Sequence, residues 1–218
     1  MIDFDRARQI MVDGQLRAGG VFETRLISEM GRLPRERFVP EARRDLAYVD
    51  DLHWFDRPPA GRFMPAPAIL AKLIQLAEIA PSDDVLDIGA TTGYATAVMA
   101  GLAASVTGLE PDAGLAERAT ANLAVQQIGN ARVISGGLEK FSPSAFDVIM
   151  AEGMIDTVPP LWLHLLRPGG RIVALLRNGP IGTAHVYVSA DGKVTQRSTF
   201  NASLPLLPGH EVVKEFEL

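Results

Sequence analysis

Two carboxylates stand where they could do chemistry. In the stretch "VLDIGATTGYATAVMA", residues 85–100, Asp87 lies two positions before Gly89, and Gly93 closes the loop that follows. A second acid, Glu110, ends the next apolar run, "SVTGLE". A short apolar run, a glycine-hinged loop and then a helix is a common way to hold a nucleotide-like ligand. The first glycine permits a sharp exit from the strand, and the later one lets the backbone approach a ligand or the helix pack near the sheet. A carboxylate inside such a strand faces the ligand crevice, where it disfavours a pyrophosphate and favours a cation. At the tip of the following strand, a carboxylate accepts two hydrogen bonds from ribose hydroxyls. The alternative for Glu110 is a charge at the N-terminus of the helix that begins near Asp112. Asp87 and Glu110 together favour S-adenosylmethionine, which carries a sulfonium and an ammonium and no phosphate, over a nicotinamide dinucleotide.

Other residues around this loop carry two readings each. Thr91 stands where loops of this kind usually have a further glycine. With Thr92 it either offers hydroxyls to a bound carboxylate or caps the next helix. Glu152, just past "FDVIMA", belongs at the mouth of the crevice, as an orienting group for an ammonium or as a solvated loop acid. Arg62 reads as exposed in a proline-rich loop, with attraction of an anionic substrate as its functional alternative. Trp54 and Phe55 read as packing residues that could line a substrate cleft, and Asp147 as structural at a strand start.

Composition removes several classes of chemistry. The chain has no cysteine, which excludes disulfides, thiolate catalysis and cysteine-ligated zinc. His53, His164, His185 and His210 lack metal-ligand spacing and read as surface or partly buried residues, so no metal is expected. With 21 Lys and Arg against 26 Asp and Glu, the average field repels phosphate backbones, which argues against nucleic acid. No apolar stretch is long enough for a membrane span, since "APAILAKLIQLAEIA" is broken by Lys72, Gln75 and Glu78. The charged opening "MIDFDRARQ" reads as uncleaved and cytoplasmic.

The elements that must position the acids can be read from hydrophobic pattern. At 218 residues, 47% of them hydrophobic, the chain can close one substantial core. Residues 1–65 read as an N-terminal helical extension, with helices near Phe4–Leu16 and Glu23–Leu33, and residues 66–218 as the α/β unit. The stretch "DRPPAGRFMPAP" resists regular structure. A helix follows from Ile69 and stops before Pro81. Short apolar runs then alternate with helices: "VLDI", a helix from Gly93, "SVTGL", a helix from Asp112, "ARVIS", "FDVIMA", a helix from Asp156 and "RIVALL". Runs this short and continuous suit strands covered on both faces, so a mostly parallel sheet with helices on both sides is expected. Late in the chain, "AHVYVSADGKVTQRSTF" reads as two strands joined by a turn at Asp191-Gly192, an antiparallel pair at one sheet edge.

On these residues the chain resembles the class I methyltransferases and, more narrowly, the protein-L-isoaspartate O-methyltransferases. The narrower resemblance rests on "VLDIGATTGYATAVMA" together with "MVDGQLRAGGV", "LPRERFVP", "AYVD" and "LPLLPG", and extends over nearly the whole chain. It implies a Rossmann-like fold with a seven-stranded sheet and a helical N-terminal extension covering the site. It implies S-adenosylmethionine as cofactor, with Asp87, Gly89 and Gly93 at its methionine end and Glu110 at its ribose, while Thr91 is a candidate for cofactor binding through its own hydroxyl. It also implies a protein or peptide partner whose isoaspartyl carboxylate is methylated. The chain departs from the family's pattern at Thr91, at "SGGL" (135–138), which lacks the adenine-side acid, and at Pro65. In the substrate loop Met64, Pro65, Ala66 and Pro67, proline stands where the family has serine, so no catalytic residue is assigned there. Two alternatives stay open: a relative without catalysis that serves as a binding module, and a methyltransferase with another acceptor.

Overall fold

A computed structural model describes residues 2–58, 61–143, 145–190 and 193–210. In chain order the main elements are α1 (Phe4–Met11), continuing without a break into a wide helical turn at Val12–Arg17, and α2 (Thr24–Arg32). A small hairpin, β1 (His53–Trp54) and β2 (Phe63–Met64), leads to α3 (Pro67–Leu76). Then come β3 (Asp84–Ile88), α4 (Tyr94–Ala100), β4 (Ser105–Leu109), α5 (Ala113–Val125) and β5 (Ala131–Ile134). The chain continues through β6 (Phe146–Ile155), α6 (Pro160–Leu165), β7 (Leu166–Asn178), β8 (Ile181–Ala190) and β9 (Lys193–Ala202).

The large sheet has seven strands in the order β5-β4-β3-β6-β7-β8-β9. Pairing is parallel from β5 through β7 and antiparallel for β8 and β9. From β3 the chain winds outward to β4 and β5, then crosses back to β6 on the other side of β3. The carboxyl ends of β3 and β6 therefore form the switch-point crevice in which wound sheets place ligands. The expected edge pair is present, and its strands meet at Ala190 and Lys193. The Asp191-Gly192 turn itself lies outside the described residues.

Local chemistry explains the element boundaries. Asp112 caps α5, its carboxylate accepting from the Leu115 N–H at 2.8 Å. Asp3 caps α1 in the same way. The helix expected from Asp156 begins later, at Pro160. Pro159 and Pro160 hold the preceding backbone extended and suit the first helical turn, while Asp156 stays outside the helix and pairs with Arg177 at 2.7 Å. Asp147 is structural, accepting from the Asp84 N–H and from Arg167.

One core cluster runs from Met11 in the N-terminal helices to Leu207 after β9. Phe38 packs edge-on against Tyr94 of α4, with ring centroids 5.4 Å apart, and Trp54 against Phe63 at 5.4 Å. Against the sequence expectation, His53 is fully buried, because the β1–β2 hairpin is folded in against the core. Among the described residues no helix is long and apolar enough to cross a membrane.

Candidate functional site

The first acid is set by strand register. In β3, Val85, Leu86, Asp87 and Ile88 are all buried because the strand lies between β4 and β6. Asp87 has no exposed surface, and its Oδ2 accepts a hydrogen bond from Thr96 Oγ1 of α4 at 2.6 Å. Glu152 comes from the neighbouring strand. Two more residues of β6 than of β7 lie between the pairs Met150–Val173 and Met154–Leu175. The bulge falls just where β3 ends, and bulges re-aim side chains next to sites. Here Glu152 turns in beside Asp87, 1% exposed, so the solvated-acid reading of Glu152 is wrong.

With both acids ionised, Asp87 Oδ1 and Glu152 Oε1 lack a donor. A proton shared between the two carboxyls would supply one. Burial pushes Asp87 up to about 6 against the opposing pull of the Thr96 hydroxyl and of Glu152, and the charge of Glu110 adds to the rise. Burial, and then the charge of Asp87, push Glu152 well above the ordinary carboxylate range. Such a pair holds protons in the empty protein and becomes a receptor for positive charge when a cation arrives.

Glu110 stands at the tip of β4, fully buried. Its Oε2 accepts from the Thr91 N–H at 2.8 Å and from Arg62 at 2.5 Å, and its Oε1 from the Asp112 N–H at 3.0 Å. The helix-terminus reading and the ligand reading of this acid are thus compatible: one oxygen supports the start of α5 while the other faces the crevice. Arg62, expected in solvent, is 9% exposed and ion-paired to Glu110. A buried carboxylate at a strand tip recruits a cation when one is in reach.

The loop between β3 and α4 is tightly shaped. Gly89 (φ +94°) and Gly93 (φ +85°) are left-handed, as is Thr91 at φ +46°. For a β-branched residue this is a strained conformation. A Cβ on Gly89 would come within 3.0 Å of Leu207, with Arg62 and Glu152 next nearest at 3.6 Å. Thr92 does not cap α4, and neither does Thr91: the cap position is Gly93, which has no side chain, and Thr92 Oγ1 instead bonds the Phe38 carbonyl at 2.5 Å. That bond ties the N-terminal segment to the loop.

The substrate loop Met64–Pro67 is buried. Pro65 offers no donor, but its carbonyl accepts from Arg35 Nη2 at 2.6 Å, while Arg35 Nε bonds the Ala47 carbonyl at 2.9 Å. The Arg35 guanidinium also lies 4.8 Å from the Tyr94 ring centroid. Sequence reasoning missed Arg35 and Thr96 as site residues. The signal for Arg35 was its place in "LPRERFVP", one of the stretches that carry the resemblance, and for Thr96 its position one helical turn past Thr92.

A cavity of about 170 Å³ opens between the Gly89 loop, Leu109, Pro111, Gly136–Leu138 and Leu207. The "LPLL" segment closes it: Leu207 N–H bonds the Met154 carbonyl at 2.8 Å and Met154 N–H the Pro205 carbonyl at 3.0 Å, laying Leu207 over Gly89. A larger cavity, about 610 Å³, is lined by residues of α2 and α3 and by Phe200, and holds none of these acids. Size does not select the site; the convergence of acids on a glycine cradle does. Those residues fit an adenosyl cation: Asp87 Oδ1 and Glu152 Oε1 wait for positive charge, and Glu110 stands beside a cleft lined by glycines. Among the described residues, no cluster of His, Cys, Asp or Glu could hold a metal ion.

Comparison with known proteins agrees with this geometry. The family model "Protein-L-isoaspartate(D-aspartate) O-methyltransferase" matches residues 6–203. The chain is 39% identical over 192 residues to a protein-L-isoaspartate O-methyltransferase of Koribacter versatilis (strain Ellin345), covering 87% of this chain and 84% of that protein. It is 36% identical over 186 residues to protein-L-isoaspartate O-methyltransferase 2 of Anaeromyxobacter sp. (strain Fw109-5), covering 83% and 73%. Among solved structures, one named protein-L-isoaspartate O-methyltransferase superposes with TM-score 0.78 at 22% identity, covering 93% of this chain and 66% of that one. Another, from Plasmodium falciparum and in complex with S-adenosyl-L-homocysteine, gives 0.77 at 18% identity, covering 92% and 97%. At such identities the structural likeness establishes the fold.

Proposed function

The chain belongs to the protein-L-isoaspartate(D-aspartate) O-methyltransferase family, and from that premise we propose that it methylates isoaspartyl carboxylates of damaged proteins or peptides, using S-adenosyl-L-methionine. The observation that carries the reading is the meeting of Asp87, Glu152 and Glu110 around the Gly89 cradle at the sheet's switch point. We assign cofactor binding to Asp87, Gly89, Thr91, Gly93 and Glu110, with residues 1–65 as the cap and 66–218 as the cofactor-binding unit. The proposal includes a cytoplasmic site of action.

The bound cofactor supplies an electrophilic methyl group on a sulfonium. Glu110 would accept from the ribose hydroxyls, and Asp87, oriented by Thr96, would provide with Glu152 the negative field for the ammonium. The acceptor carboxylate is already ionised near neutral pH, since such a group titrates at about 4. No general base is needed, so the serine missing at position 65 removes a positioning contact and not a proton acceptor. Arg35 fixes the Pro65 carbonyl, and the loop's shape, with exclusion of water, does the aligning. The acids on which cofactor binding rests are in place, so a scaffold without catalysis is the less supported reading.

The test is calorimetry with S-adenosylhomocysteine, followed by methyl transfer to an isoaspartyl peptide and to its aspartyl counterpart. Binding and selective methylation of the isoaspartyl peptide are expected. Binding with transfer to neither peptide would point to another acceptor, and no binding would overturn the proposal.

A further inference from the structure

We propose that Arg62 is an exchangeable counterion: it holds Glu110 in the free protein, competes there with the cofactor ribose, and once displaced binds the carboxylate of the acceptor. The inference rests on the function proposed above.

Three observations carry it. Glu110 has about four acceptor sites, and three are taken, by Thr91, Asp112 and Arg62. The two backbone bonds belong to the loop and to the start of α5, so only Arg62 can yield to a diol. Secondly, the cavity of about 170 Å³ is well below the roughly 300 Å³ at which pockets for small ligands begin. The Arg62 guanidinium forms part of its wall, with Nη2 3.6 Å from where a Cβ on Gly89 would stand. Moving that side chain away opens the space over the cradle. Thirdly, Arg62 is incompletely satisfied where it sits, since its buried Nε has no partner. Its backbone is held independently of Glu110, with its carbonyl accepting from the Phe55 N–H at 2.9 Å.

The chemistry of the acceptor supplies the second half. A carboxylate entering a crevice that already holds Asp87, Glu152 and Glu110 needs a cation. Arg35 has a buried Nη1 without a partner, but its Nε and Nη2 hold the Ala47 and Pro65 carbonyls and its guanidinium lies over the Tyr94 ring, so turning it toward the acceptor would break the contacts that shape the loop. Arg62 stands two residues before Met64, and its planar fork matches a carboxylate bidentately. Ribose hydroxyls replacing it on Glu110 release it toward the incoming anion, so that acceptor affinity becomes coupled to cofactor occupancy.

The experiment uses the full chain as wild type and as Arg62→Ala, Arg62→Gln and Arg62→Lys. Calorimetry with S-adenosylhomocysteine is expected to show both Arg62→Ala and Arg62→Gln binding several-fold tighter, about tenfold if the competing pair is worth 1.4 kcal/mol. In a Glu110→Gln background the Arg62→Ala change should have no such effect. Steady-state methylation of an isoaspartyl peptide should show KM raised about tenfold in Arg62→Ala with kcat little changed, and partly restored by Arg62→Lys. Wild-type binding without tightening in either neutral variant, or an unmoved peptide KM, overturns the assignment of Arg62 alone. Failure of the wild type to bind S-adenosylhomocysteine overturns the proposed function and this inference with it.

Discussion

Replacing Asp87 by asparagine should strengthen the empty protein at alkaline pH while weakening its hold on cofactor. In the fold Asp87 titrates at about 6 instead of 3.8, mainly through burial. The folded protein therefore binds this proton more tightly than the unfolded chain between those two values. Stability from this group is complete below pH 4 and declines as pH rises through about 6. Each pH unit separating the folded and unfolded titrations is worth about 1.36 kcal/mol, so the loss comes to about 3 kcal/mol, roughly half of it above pH 5. Asparagine keeps an oxygen for the Thr96 hydroxyl and offers an N–H to Glu152, with no charge to bury. Urea denaturation of both proteins at pH 5 and pH 8, without ligand, gives the difference directly. The asparagine variant should gain at least about 1.5 kcal/mol relative to wild type between the two. His53 titrates in both proteins and drops out of the difference, whereas Glu152 loses the Asp87 charge that raises it and adds to the variant's gain. Calorimetry on the same samples should show S-adenosylmethionine bound at least about tenfold more weakly by the variant at pH 8. A variant whose stability relative to wild type is the same at pH 5 and pH 8 would refute the claim that Asp87 is held out of its ordinary range by burial.

Other outcomes follow from the same contacts. Thr96→Val removes the donor to Asp87 and should cost about 1.5–3 kcal/mol by urea denaturation at pH 8 and less at pH 5, where Asp87 is largely protonated; equal losses at both would argue that the hydroxyl serves packing alone. Gly93→Ala places a Cβ 3.2 Å from Ala119 Cβ at φ +85° and should destabilise the chain by about 1–2 kcal/mol. A neutral effect would mean that the loop relaxes freely. Burial, aided by the charges of Arg35 and Arg43, pushes the His53 imidazole down to about 4. The folded state refuses a proton that the unfolded chain accepts below about 6.5, so stability from this group is complete above that value and lost as pH falls toward 4. Its ring-proton shift, followed by nuclear magnetic resonance, should titrate near 4; a midpoint near 6.5 would place the ring in water.

Much of the architecture was legible in the sequence because it depends on local pattern. Short, mostly apolar runs at Val85–Ile88 and Val106–Leu109 suit strands between two covered faces, and Asp112 marks the start of its helix by its own side chain. The glycines at 89 and 93 announced a sharp exit from the strand and a close approach of backbone, and in the fold both take left-handed conformations. Even the late antiparallel pair followed from alternation and a turn signal. What spacing could not supply was the partner of each polar group. Arg62 read as solvated because it stands in a proline-rich loop, and solvation stayed one of two readings for Glu152 at the end of its apolar run. They are buried because Glu110, from a different strand, and a bulge in β6 draw them inward. Arg35 and Pro65 lie thirty positions apart in the chain, and no periodicity links them. Strand and helix formation are decided within a few residues, whereas the protonation of a carboxylate and the company of an arginine depend on what the whole chain brings within a few ångströms, and tertiary folding alone sets that.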